Sequence, residues 1–361
     1  MNQAIFSRNQ VKENLRITEI MYNPDISDGE YIELKNIGTE AINLYLCKFT
    51  EGIEFTFPNT TLNPGEFILV VQDQVEFLDF YNANSSNFNI VGEYGNGSKL
   101  SNGGESIVLE DAFGQIIHDF SYNDDYPITD GTGFSICIND STNSDLSQWD
   151  ISKNWSPSNN VGGNPGVSHS PNSVSYGSIV INEILAHSDT ETGDWIELHN
   201  TSTAPIDIGG WFLSDDNDQL KKYQIASGTT IPANGFIVFT QTNHFGVGAT
   251  DLGNLEGFGL SEYGETLYLS SGASGELNGG YSIAQSFGAS LNGSTLGRHL
   301  PDDSLNAKTE FIQLDTPTLG TENASPFIPK VVINEIRYKA VNQHDALHEY
   351  IELFNRSSET M

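Results

Sequence analysis

The chain has 361 residues, with 15 Lys and Arg against 48 Asp and Glu, so its formal net charge is -33 at pH 7. A surface this acidic repels phosphate backbones and anionic lipid headgroups, which argues against nucleic acid as a partner and against membrane insertion. An apolar content of 37% is too high for a disordered chain, the length allows two or three domains, and no run of about 18 apolar residues is available to span a bilayer.

Residues 1–16 read as an N-terminal extension without the apolar core of a signal peptide, which taken literally argues against export. A first strand pair follows, Ile17-Thr18-Glu19-Ile20 and Tyr31-Ile32-Glu33-Leu34-Lys35-Asn36. It recurs as Ile181-Asn182-Glu183-Ile184 with Trp195-Ile196-Glu197-Leu198-His199-Asn200. It recurs again as Ile333-Asn334-Glu335-Ile336 with Tyr350-Ile351-Glu352-Leu353-Phe354-Asn355. The glutamates stand 14 residues apart in the first two copies and 17 in the third. Self-similarity of this kind is the signature of a repeat architecture. The first two copies stay in step beyond the hairpin. Asn43-Leu44 answers Asp207-Ile208, residues 61–68 answer 230–237, and 100–107 answer 260–267. Gly131-Thr132-Gly133 answers Gly293-Ser294-Thr295, and Asn164-Pro165-Gly166 loosely answers Thr316-Pro317-Thr318.

Short β-branched and aromatic runs such as Phe67–Val71 and Phe236–Phe239, bounded by Gly, Pro and Asn, predict strands. One helix is expected near Gln74–Tyr81. The sum is an all-β chain of sandwich or barrel type, with no α/β alternation. Residues 17–166 form a first unit, 167–178 a linker, 179–323 a second unit, 324–330 a second linker and 331–361 the truncated start of a third. The stretch 152–178 is dense in Ser, Asn, Gly and Pro, and two separately folding sandwiches joined by polar linkers are expected. Because two strands cannot close a sandwich, the chain reads as a fragment of a longer protein.

The ordered set Ile181–Ile184, Gly193–Asn200 and Asp207-Ile208-Gly209-Gly210-Trp211 resembles the lamin tail domain family. The first copy departs from the family pattern with Asn43 for the Asp and Cys47 for the Trp, while its tail, Asn154–Ser158 and Gly163–Gly166, is similar to the closing segment of bacterial members. The resemblance implies tandem immunoglobulin-like β-sandwiches. It also implies a non-enzymatic module of a larger, exported bacterial protein, located extracellularly or at the cell surface. Such a module acts in spacing or in contact with a protein or polysaccharide surface, and its partners include other domains of the same chain. Two alternatives stay open: a Ca2+- or carbohydrate-dependent adhesin, and an accessory region of a secreted hydrolase or nuclease. No coiled-coil heptads precede the copies, against a nuclear filament role.

No nucleophile elbow, phosphate loop, dinucleotide fingerprint or zincin motif is present, so no catalytic residue and no cofactor is assigned. The residues kept in every copy, Glu19, Glu33, Asn36, Glu183, Glu197, Asn200, Glu335, Glu352 and Asn355, are read as structural. Flanked by Ile and Leu, the glutamates are expected to be partly buried at the sandwich edge, hydrogen-bonded to nearby donors so as to fix the hairpin. Cation binding or acid–base chemistry is the rival reading. Asp215, Asp216, Asn217 and Asp218 form the best local Ca2+ candidate, although the spacing of an EF-hand loop is missing. His344 with His348 and His187 with His199 are read as surface residues, and Trp195 and Trp211 as core rather than sugar-stacking residues. Cys47 and Cys137 form no CxxC pair; whether they bond to each other is open.

Overall fold

The structure is a computed structural model that describes residues 10–83, 87–94, 97–170, 174–189, 191, 193–300, 310–338 and 349–360. His344 and His348 lie outside the described residues.

The first copy packs a six-stranded sheet on a four-stranded one. The larger sheet runs, in spatial order, Trp155–Pro157, Ile136–Ile138, Leu15–Met21, Tyr31–Asn36, Phe67–Val71 and Ile90–Glu93. The smaller runs Ile116–Tyr122, Glu105–Glu110, Lys48–Glu51 and Phe55–Thr56. Inward-facing Leu15, Ile17, Ile20, Ile32, Leu34, Ile68 and Val70 meet Phe49, Ile107 and Leu109 in one core that also holds Trp149 and Trp155. This is the alternation expected of two facing sheets. The last two strands of the large sheet are parallel, and a parallel pair needs a crossover. The crossover is a helix, Gln74–Phe80, where the sequence placed one; Asp73 caps it by accepting from the Val75 and Glu76 N–H groups.

The second copy repeats this plan. Its large sheet is ordered Phe236–Thr240, Trp195–Asn200, Ile179–Leu185, Leu296–His299 and Glu310–Gln313, against Tyr223–Gln224, Phe212–Ser214, Gly264–Ala273 and Glu276–Gly288. A single turn, Gln241–Phe245, stands where the first copy has its helix. Trp211 occupies the register position of Cys47, as expected from the sequence. The counterpart of Cys137 is Gly297, because Cys137 pairs with Glu19 and Gly297 with Glu183. Cys47 and Cys137 are both free and buried. All four Trp side chains are buried, including Trp195 and Trp211, so neither presents a face to a sugar.

In the third segment, Val331–Arg337 pairs with Tyr350–Asn355 in the same antiparallel register. Its strand residues stay open: Ile333, Ile351 and Leu353 are each more than half exposed.

Candidate functional site

The opening hairpin lies at the centre of each large sheet rather than at the sandwich edge where the glutamates were expected. Its two strands are covered on both faces, and every residue of Leu15–Met21 and of Ile179–Leu185 is buried. Each hairpin carries one irregularity at the same place, between Ile17 and Glu19, Ile181 and Glu183, and Ile333 and Glu335. A bulge sets two residues against one on the partner strand and re-aims a side chain. Here it lets two consecutive polar residues between isoleucines serve one cluster. Thr18 Oγ1 donates to Glu33 Oε1 at 2.7 Å, and Asn182 Nδ2 donates to Glu197 Oε1 at 2.7 Å. Asn334 Nδ2 donates to Glu352 Oε1 in the third hairpin.

The glutamates of the two complete copies are fully rather than partly buried. Their remaining acceptor capacity goes to the loop that ends the same copy. In the first copy Glu19 accepts from the Asn164 N–H at 2.8 Å, and Glu33 from the Gly166 N–H at 2.5 Å. In the second, Glu183 accepts from the Thr318 N–H at 3.0 Å and Thr318 Oγ1 at 2.7 Å, and Glu197 from the Gly320 N–H at 2.5 Å. Each pair thus pins one closing loop by alternate backbone amides. The register corrects the alignment of the tails: Asn164–Gly166 corresponds to Thr318–Gly320, not to residues 316–318. Glu19 also accepts from Tyr31 Oη and from Ser135 Oγ, both at 2.5 Å. Tyr350 Oη makes the same bond to Glu335 at 2.7 Å.

Burial sets the electrostatics. It raises the Glu19 carboxyl above its ordinary range, although the bonds from Ser135, Tyr31 and Asn164 pull the other way. Burial and then the charge of Glu19 hold Glu33 well above that range. Burial pushes Glu197 up to about 7, against the lowering bonds from Gly320 and Asn182. Beside Glu19 and Glu33 the remaining cavity is about 30 Å³, space for water but not for a substrate. Cys137 stands next to Glu19, and burial, then the Glu19 charge, raises its thiol well above the ordinary value. Burial thus holds this thiol in its protonated, weakly nucleophilic form.

The third repeated residue is a turn lock. Asn36 donates to the Glu40 and Leu62 carbonyls at 2.9 Å each and accepts from the Gly38 N–H at 2.9 Å. Asn200 does the same with Ala204, Ile231 and Ser202, and Asn355 with Glu359 and Ser357.

Asp215–Asp218 sits apart from all this, in a loop of the second copy. Lys222 Nζ lies 2.8 Å from Asp215 and 3.5 Å from Asp216, and Asn217 points its amide at Asp130 of the first copy. Among the described residues no group of three or more His, Cys, Asp or Glu is arranged to hold a metal ion. His187 lies 3.1 Å from Glu262, and His199 stacks on Phe236 at 4.2 Å between ring centres.

A family model described as Lamin Tail Domain matches residues 8–124 and 172–285, more than half of the chain. The chain belongs to the lamin tail domain family. The two matched regions fall on the two complete sandwiches, so the protein is a tandem lamin tail module with the immunoglobulin-like β-sandwich fold of that family. No curated protein and no solved structure matches the chain. Sequence reading found the glutamates and asparagines of the lamin tail repeats but missed their partners Thr18, Asn182, Tyr31 and Ser135 and the amides of Asn164, Gly166, Thr318 and Gly320. A polar residue ahead of Glu between two isoleucines, in all three copies, was the available signal.

Proposed function

We propose that this tandem lamin tail module acts without catalysis, in a larger exported bacterial protein, as a spacer that presents neighbouring domains or meets a protein or polysaccharide surface. The observation that carries the reading is the engagement of the repeated glutamates. An acid–base pair must reach a substrate, and these carboxylates are enclosed and already accept from the N–H groups of their own closing loops. Their presence in both complete copies, with equivalent partners each time, fits a part of the fold.

The full chain and its Glu19→Gln and Glu183→Gln variants, assayed on chromogenic esters, glycosides and phosphodiesters, test the non-catalytic part. No turnover above buffer is expected. A turnover present in the wild type and lost in either variant overturns it. Digestion of intact source cells with a non-permeant protease tests the location. The chain is expected to be cut without lysis, and protection until lysis overturns export.

A further inference from the structure

The two sandwiches touch through features that only the second possesses. Between Phe212–Ser214 and Tyr223–Gln224 it carries a loop longer than the one joining Lys48–Glu51 to Phe55–Thr56. Its hairpin Gly264–Ala273/Glu276–Gly288 also extends past the equivalents of Glu105–Glu110 and Ile116–Tyr122. Both extensions reach the first repeat. Leu220 from the loop is buried with Ile128 and Phe134 of the first repeat in a separate apolar cluster, with Tyr268 and Leu277 against it. The Ile128 N–H donates to Ser282 Oγ at 3.2 Å, and Asn217 Nδ2 donates to Asp130 Oδ2 at 2.9 Å. Asp130 is held from the other side by Asn23 at 2.5 Å, so the acidic group at the junction is hydrogen-bonded from both repeats. Gly279, at φ +61°, lies flat on the first repeat; a Cβ there would overlap the Ser158 carbonyl oxygen and press on Phe134.

We infer that the 215–222 loop and the tip of the 264–288 hairpin are a docking device that locks the second lamin tail repeat onto the first, so that the pair moves as one rigid body. Two acidic repeats repel each other, and the contact accordingly uses apolar side chains and neutral amide and hydroxyl donors. The short connection supplies an effective concentration on the order of mM, so a modest apolar contact suffices to keep the repeats docked. Asp215 and Asp216 then have a role without a metal: with Lys222 they shape the loop that delivers Asn217 and Leu220. The inference deepens the spacer reading by making the spacer stiff.

The test is a pulsed electron-resonance distance measurement on the full chain, with spin labels at Val75→Cys and Leu252→Cys. Both positions are exposed, whereas the native cysteines are buried. The wild type is expected to give one narrow distribution. Gly279→Ala and Leu220→Ser are expected to broaden it. Gly275→Ala is the matched control: it lies in the same hairpin, also at positive φ, but its Cβ would meet nothing within 4 Å. It should keep the narrow distribution. A broad distribution in the wild type, narrow ones in both docking variants, or equal broadening in Gly275→Ala overturns the inference. A failure of the non-catalytic reading would appear instead as turnover, with the narrow distribution intact.

Discussion

Removing Glu197 separates a structural carboxylate from a ligand-binding one. Its Oε1 accepts from Asn182 Nδ2 at 2.7 Å and its Oε2 from the Gly320 N–H at 2.5 Å. Glu197→Ala deletes both acceptors. Each buried donor left unsatisfied costs about 1–3 kcal/mol. Water reaches the part-buried Gly320 N–H more easily than the buried Asn182 amide, so the combined loss is about 2–4 kcal/mol. For a domain of this size that lowers the melting temperature by roughly 5–15 °C. Glu197→Gln keeps the shape and one acceptor oxygen, so it costs about 1 kcal/mol, the net worth of one hydrogen bond. Calorimetry at pH 5, where the contribution of Glu197 is largely intact, ranks the variants, and amide hydrogen exchange at Thr318 and Gly320 reports whether the closing loop has been released. Added Ca2+ should shift the wild type no more than it shifts either variant. If Ca2+ strongly stabilises the wild type and both substitutions abolish that gain, the glutamates are metal ligands and the clamp argument fails. Equal melting of Ala, Gln and wild type refutes it as well.

Further outcomes follow from the same geometry. Because Glu197 has a folded-state value of about 7, raised from its ordinary 4.5, its contribution to stability is full below about 4.5 and is lost as pH rises through about 7. Denaturant unfolding should therefore show the second repeat weakening between pH 5 and pH 8, with a flatter profile in Glu197→Gln; a gain in stability over that range contradicts the assignment. Gly163, at φ +87°, lies so close to the first clamp that a Cβ there would overlap Tyr31 Oη and Glu19 Oε1. Gly163→Ala should destabilise the first repeat by several kcal/mol, about 1 from the left-handed backbone and the rest from displacing the loop, and unchanged urea unfolding would count against it. Limited proteolysis should remove residues after about 330 and spare the two sandwiches, since an isolated two-stranded hairpin is marginal in water; a resistant 331–355 segment would show otherwise. In a gel shift at 0.15 M salt no complex with duplex DNA is expected, given the net charge of -33, and a salt-sensitive submicromolar complex would overturn this.

The repeat, the strand content and the helix at Gln74–Phe80 were legible in the residues because they depend on local chemistry: β-branched and aromatic runs, turn residues, and polar residues fixed in every copy. Glu19, Glu33, Asn36 and their counterparts stood out for the same reason. Their depth did not. A Glu between isoleucines reads as half-buried, since one sheet face is ordinarily solvated. Only the return of residues 164–166 and 318–320 across that outer face buries it, and those loops arrive more than 120 residues later in the chain. The bulge that turns Thr18, Asn182 and Asn334 toward the carboxylates is likewise a property of strand pairing, not of any one strand. Asp215–Asp218 shows the limit most clearly. Its composition suggests a cation loop, yet Lys222 and the face of the neighbouring repeat complete it. Composition sets which groups are available; packing between distant segments decides which partner each one meets.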